Sequence, residues 1–299
     1  MSRYAFRSEQ DGQRLDLAVT TNVPNMSRRH ARDLIGRGSV FVDGVRIRVL
    51  AHPVGVGVKV EVVDEPLPAR ANDVAAPTIL FDSGDVVVVD KPAGLATEPT
   101  RQASTSVVDT FVQQGRKLAA VHRLDVDTSG VLVMATAKVM PAWSAVFANA
   151  SVERLYIAIC DGVIADEQGL VDLPLVAPDR DGRAKVVAAD HPNGKAAVTA
   201  WQVLARSSSA TLVGLRPRTG RTHQLRVHMA HIGHAFVGDR RYSTPANGVT
   251  HLGLHALSLV ATVDGVRHSF KAPLPAAFVE AAKRFDLDPA AISNLHRAP

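Results

Sequence analysis

An α+β chain in two parts is what this sequence predicts. A short basic segment carries an amphipathic helix followed by a hairpin, a proline-containing stretch without periodicity comes next, and a longer segment combines β-branched runs, turn signals and a further helix. With 299 residues, 46% of them hydrophobic and 21% charged, the composition is ordinary for a globular protein and the length suits a small domain plus a larger one.

The opening residues, MSRYAFRSEQDGQR, lack the apolar core of a secretory signal, and nowhere do about 18 apolar residues run together. A cytoplasmic protein without a membrane partner is expected. Cys160 is the single cysteine, which excludes a disulfide framework and a cysteine-rich zinc site and fits a reducing compartment.

In NMSRRHARDLIGRGSVFVDGVRIRV (residues 25–49), Ser27 is a suitable helix N-cap. Ala31, Leu34 and Ile35 share one face before Gly36 and Gly38, which are expected to stop the helix. Val40 and Val42, an Asp43-Gly44 turn, then Val45 and Ile47 read as a two-residue hairpin. Lys and Arg number 34 against 29 Asp and Glu, a net charge of +5. Residues 1–63 hold ten basic side chains against six acidic ones, an excess of four. Arg28, Arg29 and Arg32 are either a solvated helix face or a polyanion-binding one.

The Arg-Leu-Asp run at 14–16, the Ser-Arg-Arg-x-Ala run from Ser27 and the Gly-x-Val-x-Val-Asp-Gly run ending at Gly44 together resemble the small RNA-binding domain named after the fourth protein of the small ribosomal subunit. The resemblance covers about residues 13–62 and departs from the pattern at VGVGVKVEV, which lacks the usual Gly-Asp turn. It implies that Arg28, Arg29 and Arg32 contact RNA. Residues 64–76, DEPLPARANDVAA, read as a linker. The organisation predicted is therefore a small domain over 1–63, a linker over 64–76 and a larger domain over 77–299.

In the larger part, DVVVVDKPAGLATEP is a β-branched run entering a Lys-Pro-x-Gly turn, as a strand buried on both faces would read. VHRLDVDTSGVLVMATA places turn formers Asp127 to Gly130 ahead of an apolar run from Val131 to Met134. Asp125 thus lies in a loop feeding a rigid strand, a frequent setting for reactive groups. Arg123 and Asp125, two apart, share a direction in extended backbone; the alternative is a surface ion pair contributing about 0–1 kcal/mol.

In RPRTGRTHQLRVHMAHIGHAFVGDRRY, Thr222 can cap a helix whose Leu225, Met229 and Ile232 form the apolar stripe, while His223, Arg226 and Ala230 share another side. Arg226 is then free to pair with a carboxylate from elsewhere in the fold. His228, His231 and His234 do not share a face and have no H-E-x-x-H or cysteine partner, so no metal site is expected. No P-loop, dinucleotide G-x-G-x-x-G or G-x-S-x-G elbow occurs either, and no cofactor is expected. A lone ionised carboxylate remains, able to act as nucleophile or base.

HRLDVDTSG, RLYIAICDG, GRTHQLRVHMAHIGH, FVGDRRY and LHALSLVATVDGVRHSFKAPLP occur in this order. Together they closely resemble the RluA-type pseudouridine synthases, RNA uridine isomerases, along about residues 77–280. The resemblance implies an α+β catalytic domain with a mixed, largely antiparallel sheet, and an RNA partner. Ribosomal RNA of the large subunit is favoured, because a basic N-terminal module is frequent in that branch, and transfer RNA is the alternative.

Residue by residue, the resemblance makes Asp125 the catalytic carboxylate, Arg226 its ion-pair partner and Tyr156 the residue stacked on the base. Arg123 would hold the RNA open at the flipped nucleotide, with His122, Arg221 and His223 as further RNA contacts. The reaction breaks the bond from uracil N1 to the ribose and reattaches the base through C5, with no atom added or lost. The nucleotide must leave its stack, at a cost of a few kcal/mol. A monomer is expected. Asp127 supports a rival reading, two-carboxylate glycosidic hydrolysis, and a non-catalytic RNA-binding or ribosome-assembly factor is a third. The chain departs from the family pattern at Glu98, Arg154, Ala235 and Ser243, where histidine, lysine, proline and glycine are common.

Overall fold

Short strands pairing in antiparallel register build the main sheet of the first unit. The computed structural model describes residues 2–37, 39–47, 49–64, 75–99, 105–149, 151–179, 182–243 and 249–294. Most of the predicted linker, and Gly38, lie outside them. The chain forms two compact units, Met1–Asp73 with Pro99–Ser104, and Val74–Glu98 with Thr105–Pro299.

In the first unit β1 (Ser2–Arg7), β2 (Gln13–Arg14), α1 (Leu15–Asn22), α2 (Arg28–Arg37), β3 (Val40–Val42), β4 (Val45–Ile47), β5 (Pro53–Val54) and β6 (Lys59–Asp64) follow in order. The main sheet runs β1-β6-β3-β4. Leu15 and Val19 of α1 and Ala31, Leu34 and Ile35 of α2 close its core against Val40, Val60 and Val62. Ser27 Oγ accepts the His30 amide at 3.1 Å, as an N-cap does. Gly36 does not stop the helix, which runs on to Arg37, since one glycine costs a helix only about 1 kcal/mol. Asp43 and Gly44 take φ values of 47° and 77°, the conformation a two-residue hairpin requires. Asp16 is fully buried and receives Arg14 Nε at 3.0 Å, with Arg28 Nη2 at 3.8 Å. The Arg14 hydrogen bond holds its carboxyl below the usual range against the cost of burial.

The second unit contains β7 (Thr78–Asp82), β8 (Val86–Lys91), α3 (Val107–Gln113), β9 (Ala119–Ala120), β10 (Ser129–Ala135), α4 (Met140–Ala148), β11 (Val152–Asp161), β12 (Gln168–Asp172), β13 (Leu175–Val176), β14 (Lys185–Val186), β15 (Val198–Arg206), β16 (Ala210–Pro217), α5 (Gln224–His231), β17 (Leu254–Val263), β18 (Val266–Lys271) and α6 (Ala276–Arg284). Its mixed, largely antiparallel sheet runs β12-β15-β16-β11-β17-β10-β8-β7, with β18 on β17 and β9 on β10. The α+β class follows. No helix among the described residues is long and apolar enough to cross a membrane.

One junction in this sheet is parallel: Ser129 pairs with His255 and Gly130 with Ala256. There Gly130 has φ 114°, and any Cβ on it would meet the backbone of Ala256. The glycine lets two strand ends meet edge to edge. Ser129 Oγ and His255 Nδ1, 2.9 Å apart, reinforce the contact.

The loop between β9 and β10 is clamped from three sides. Lys91 is fully buried, and its Nζ donates to the carbonyls of Pro92, Leu95 and Val126 at 3.0, 2.7 and 3.0 Å. Thr97 Oγ1 donates to Leu124 O at 2.8 Å and accepts the Leu124 amide at 3.1 Å. On the far side His122 Nε2 accepts the Val133 amide at 3.2 Å, and its ring stacks on Phe147. Val133 lies between the residues of β10 that pair with β17 and those that pair with β9, so the imidazole takes the place of a missing strand. Burial, followed by Arg154, pushes His122 down to about 3; it is a neutral acceptor.

Burial also pushes Lys91 down to about 7, against the pull of Asp125, Asp127 and Asp90. Its folded value lies below the ordinary 10.5. The unfolded chain therefore binds this proton more readily in between, and the stability the group contributes is fully present above pH 10.5 and lost as the pH falls towards 7. Lys91→Met is expected to destabilise the fold by about 1–3 kcal/mol by orphaning carbonyls, with a larger cost at pH 9.5 than at pH 7 in denaturant titrations. Gly130→Ala is expected to cost about 2–5 kcal/mol, read as a lowered Tm in the second unit.

Candidate active site

The loop before α5 is organised by a side chain that sequence patterns do not single out. Gln224 is buried; its Oε1 accepts the Arg221 amide at 3.0 Å and Thr219 Oγ1 at 2.7 Å, while Nε2 donates to Val198 O and Thr199 Oγ1 at 3.0 and 3.1 Å. All its polar capacity is used inside the fold, so the start of the helix is fixed. The N-cap is His223, in the left-handed conformation with φ 57° and ψ 17°. Thr222 does not cap it: the Gln224 amide group already binds the loop. Leu225 and Met229 are buried and Ile232 packs beside them. The opposite side is not solvated, because Gln224, Arg226 and His228 are buried too.

Arg226 is the centre of the site. Its Nε and Nη2 grip Asp239 in a fork at 2.8 and 2.7 Å, and Nη1 reaches Asp125 Oδ2 at 3.1 Å. The arginine and Asp239 side chains are 4% and 0% exposed, that of Asp125 25%. One carboxylate is therefore sealed in, and the other, on the same guanidinium, can be reached from outside. Asp239 Oδ1 also accepts the amides of Arg241 and Tyr242 at 2.9 and 3.2 Å, and the Tyr242 ring lies 5.3 Å from the guanidinium carbon.

Burial opposes the charge on Arg226, yet Asp239 and Asp125 outweigh it and hold the group above the ordinary arginine value. Burial likewise opposes the charge of Asp239, and Arg226 with the two amides keeps its carboxyl below the usual range. A buried pair of this kind is sustained by its bidentate geometry and the extra donors.

Asp239 and Tyr242 carry no local sequence signal of a part in the site. The available signal was arithmetic: a guanidinium has five N–H donors, and one partner leaves most of them unsatisfied in a buried place.

Tyr156 lies on β11, where the register against β17 shifts between Leu155 and Tyr156, the kind of irregularity that re-aims a side chain. It is partly buried and packs against two core clusters, one containing Leu124 and Ala256 and the other Ala158 and Leu225. Burial pushes its hydroxyl up; Arg154 works against this and Asp125 with it. Arg123 and Asp125 do not pair with each other. Arg123 is exposed, with Nε 3.6 Å from Glu98 Oε2. Arg221 is exposed, its Nε donating to Ala196 O at 3.0 Å. His223 Nε2 stands 3.8 Å from Asp125 Oδ2. His122 is a strut of the loop, as described above. Arg28, Arg29 and Arg32 are exposed on α2 of the other unit, and Asp127 is exposed in the turn.

The three histidines do not converge. His228 is occupied by Thr199 Oγ1 and Leu173 O, His231 is exposed and His234 Nδ1 faces Asp161 O. Among the described residues no group of three or more His, Cys, Asp or Glu is placed to hold a metal ion. Chemically the site offers an accessible carboxylate, steadied at one oxygen and bordered by a tyrosine.

Residues 85–231 match the family model described as RNA pseudouridylate synthase. The chain is 33% identical to ribosomal large subunit pseudouridine synthase D of Pasteurella multocida, over 93% of this chain and 92% of that protein. It is 37% identical to an uncharacterised RNA pseudouridine synthase of Zymomonas mobilis, over 69% of this chain and 98% of that protein. Among solved structures, human RNA pseudouridylate synthase domain containing 4 superposes with a TM-score of 0.61 at 27% identity, covering 71% of this chain and 94% of that one. The relation runs along nearly the whole length, through the strands, loop and helix that carry the site: the chain belongs to the RluA-type RNA pseudouridine synthase family.

Proposed function

We propose that Asp125 is the reacting carboxylate of a uridine isomerase that works on large-subunit ribosomal RNA. As a family member the chain is an RNA pseudouridine synthase. The observation that carries the assignment of Asp125 is the shared guanidinium: Arg226, anchored by the sealed Asp239, presents one accessible carboxylate at 3.1 Å. Among the described residues Asp127 has no guanidinium partner, and it sits in an exposed turn, which speaks against the two-carboxylate hydrolase. The ribosomal substrate is supported by relatives that bear that name along most of this chain, from Pasteurella multocida and Zymomonas mobilis.

In this reading Arg123 leaves Glu98 to occupy the gap in the RNA, and the flipped uridine enters beside Asp125. Asp125 attacks base or sugar as the N1–C1′ bond breaks. The uracil turns, C5 bonds to C1′, the C5 proton is lost and N1 gains one. Tyr156 stacks on the ring, and it takes the C5 proton only as it gives up its own phenolic proton. Arg221 and His223 flank the nucleotide, and His122 acts by holding the loop rather than by touching RNA.

Residues 1–63 serve as a separate RNA anchor of the small-ribosomal-subunit type, joined through 64–76 to the catalytic part over 77–299. The exposed row of Arg28, Arg29 and Arg32 and the charge excess of this segment support it.

Mapping pseudouridine in ribosomal and transfer RNA from cells with and without the gene tests the substrate. One or more large-subunit positions should revert to uridine; loss confined to transfer RNA would overturn the ribosomal reading. Asp125→Asn should bind RNA within about threefold of wild type while losing at least about 10³-fold in single-turnover rate, and Asp127→Asn should keep most activity. Replacing Arg29 and Arg32 by glutamine should lower the slope of log affinity against log salt by about 0.7–0.9 per lost phosphate contact, with the rate at saturating RNA unchanged.

A further inference from the structure

Asp125 is held at one oxygen only. Arg226 Nη1 lies 3.1 Å from Oδ2, and His223 Nε2 approaches that same atom at 3.8 Å. Oδ1 has no partner among the described residues. His223 reaches this place through a left-handed backbone, φ 57°, a conformation uncommon for residues with a Cβ but more accessible to histidine than to most. As N-cap it offers no side-chain bond to its own helix. Its ring lies instead between Tyr242 and Asp125.

Tyr242 Oη accepts the Ala184 amide at 2.9 Å, and His223 Nδ1 lies 2.9 Å from the same oxygen. The phenol has one proton to give, and Nδ1 is the acceptor beside it among the described residues. With the phenol donating that proton to Nδ1, the imidazole proton sits on Nε2, facing Asp125. Burial, with Arg226 and Arg241, lowers the His223 pKa more than Asp125 and Asp239 raise it, which agrees with a neutral ring.

We propose that His223 is a positioning residue of the reaction: its Nε2–H, oriented by the Tyr242 hydroxyl and the Ala184 amide, joins Arg226 on Oδ2 of Asp125, so that Oδ1 is the oxygen that reacts with the nucleotide. This rests on the reading of Asp125 as the catalytic carboxylate. At 3.8 Å the contact is longer than a hydrogen bond, and contacts of this kind shorten when substrate fills the site. A carboxylate with a single donor turns easily about its last torsion, which is broad and nearly two-fold. Two donors converging on one oxygen stop that exchange and keep the other aimed at the opening. The chain of bonds also links the β13–β14 hairpin, through Ala184, to the reacting group.

The test uses the full-length enzyme with RNA labelled by tritium at C5 of uridine, prepared from cells lacking the gene, and reads tritium release at saturating RNA beside the RNA Kd. His223→Leu removes the donor and should slow release by about 10- to 100-fold, as a misplaced reacting group does, with Kd within about threefold. His223→Gln returns an N–H near the Nε2 position and should recover to within about fivefold of wild type. Tyr242→Phe keeps the ring over Arg226, loses the orienting hydroxyl and should fall between the two, with all three variants melting near wild type. A weakened Kd with an intact saturated rate would make His223 an RNA contact and overturn the proposal. So would a His223→Gln variant as slow as His223→Leu at wild-type Tm. Asp125→Asn run alongside separates the two readings: full activity there removes the catalytic carboxylate itself, whereas an inactive Asp125→Asn with an unimpaired His223→Leu removes only the role of His223.

Discussion

A single buried guanidinium shared between two carboxylates sets the terms for the rest of the catalytic unit. Arg226 must be charged, and the interior offers little solvent to support that charge, so the fold supplies Asp239 on a fork and stacks Tyr242 beside it. With that pair complete the arginine is stable without Asp125. The third contact can therefore be asymmetric: Asp125 gains a fixed positive neighbour while remaining open to a substrate. Were Asp125 the only partner, every change in its charge or position during reaction would threaten the folded state.

The loop carrying Asp125 has to be as rigid as the arginine it meets. Lys91, Thr97 and His122 achieve this with side chains standing in for backbone: a lysine nitrogen set against three carbonyls, a hydroxyl that pairs with both the amide and the carbonyl of Leu124, and an imidazole that accepts the amide of Val133. A loop has no ladder of its own, and each of these groups replaces one rung. The result is a reactive group on irregular backbone with the positional precision of a strand.

The elements whose signal is local could be read from the sequence. The Ser27 cap, the Asp43-Gly44 hairpin, the Val86–Lys91 and Val131–Met134 strands and the helix from Gln224 all depend on neighbours within a few residues. The juxtaposition of Asp125 with Arg226, 101 residues apart, came from family resemblance and not from spacing. What the sequence did not disclose was the buried polar framework. Gln224, Lys91, His122 and Asp239 look like surface residues by composition, and only the three-dimensional path shows which acceptor each one meets. The helix start was misplaced for the same reason. A threonine hydroxyl is the usual local cap, but the loop amide here is taken by a side chain from inside the helix.

The short parallel junction between β10 and β17 has a kinetic consequence. Ser129 and His255 are 126 residues apart, and β10 carries the Asp125 loop at its leading end. Closing so long a loop is entropically slow and comes only after local hairpins have formed. During synthesis the antiparallel β8–β10 pair can assemble early, whereas the edge of β10 that faces β17 stays open until more than a hundred further residues have emerged. That short edge, Ser129 and Gly130, has no strand partner in the interval, and an open strand edge invites mispairing. The glycine that permits the final join leaves the waiting edge without a side chain at the docking point, so the order of folding, as well as the folded state, is written into Gly130.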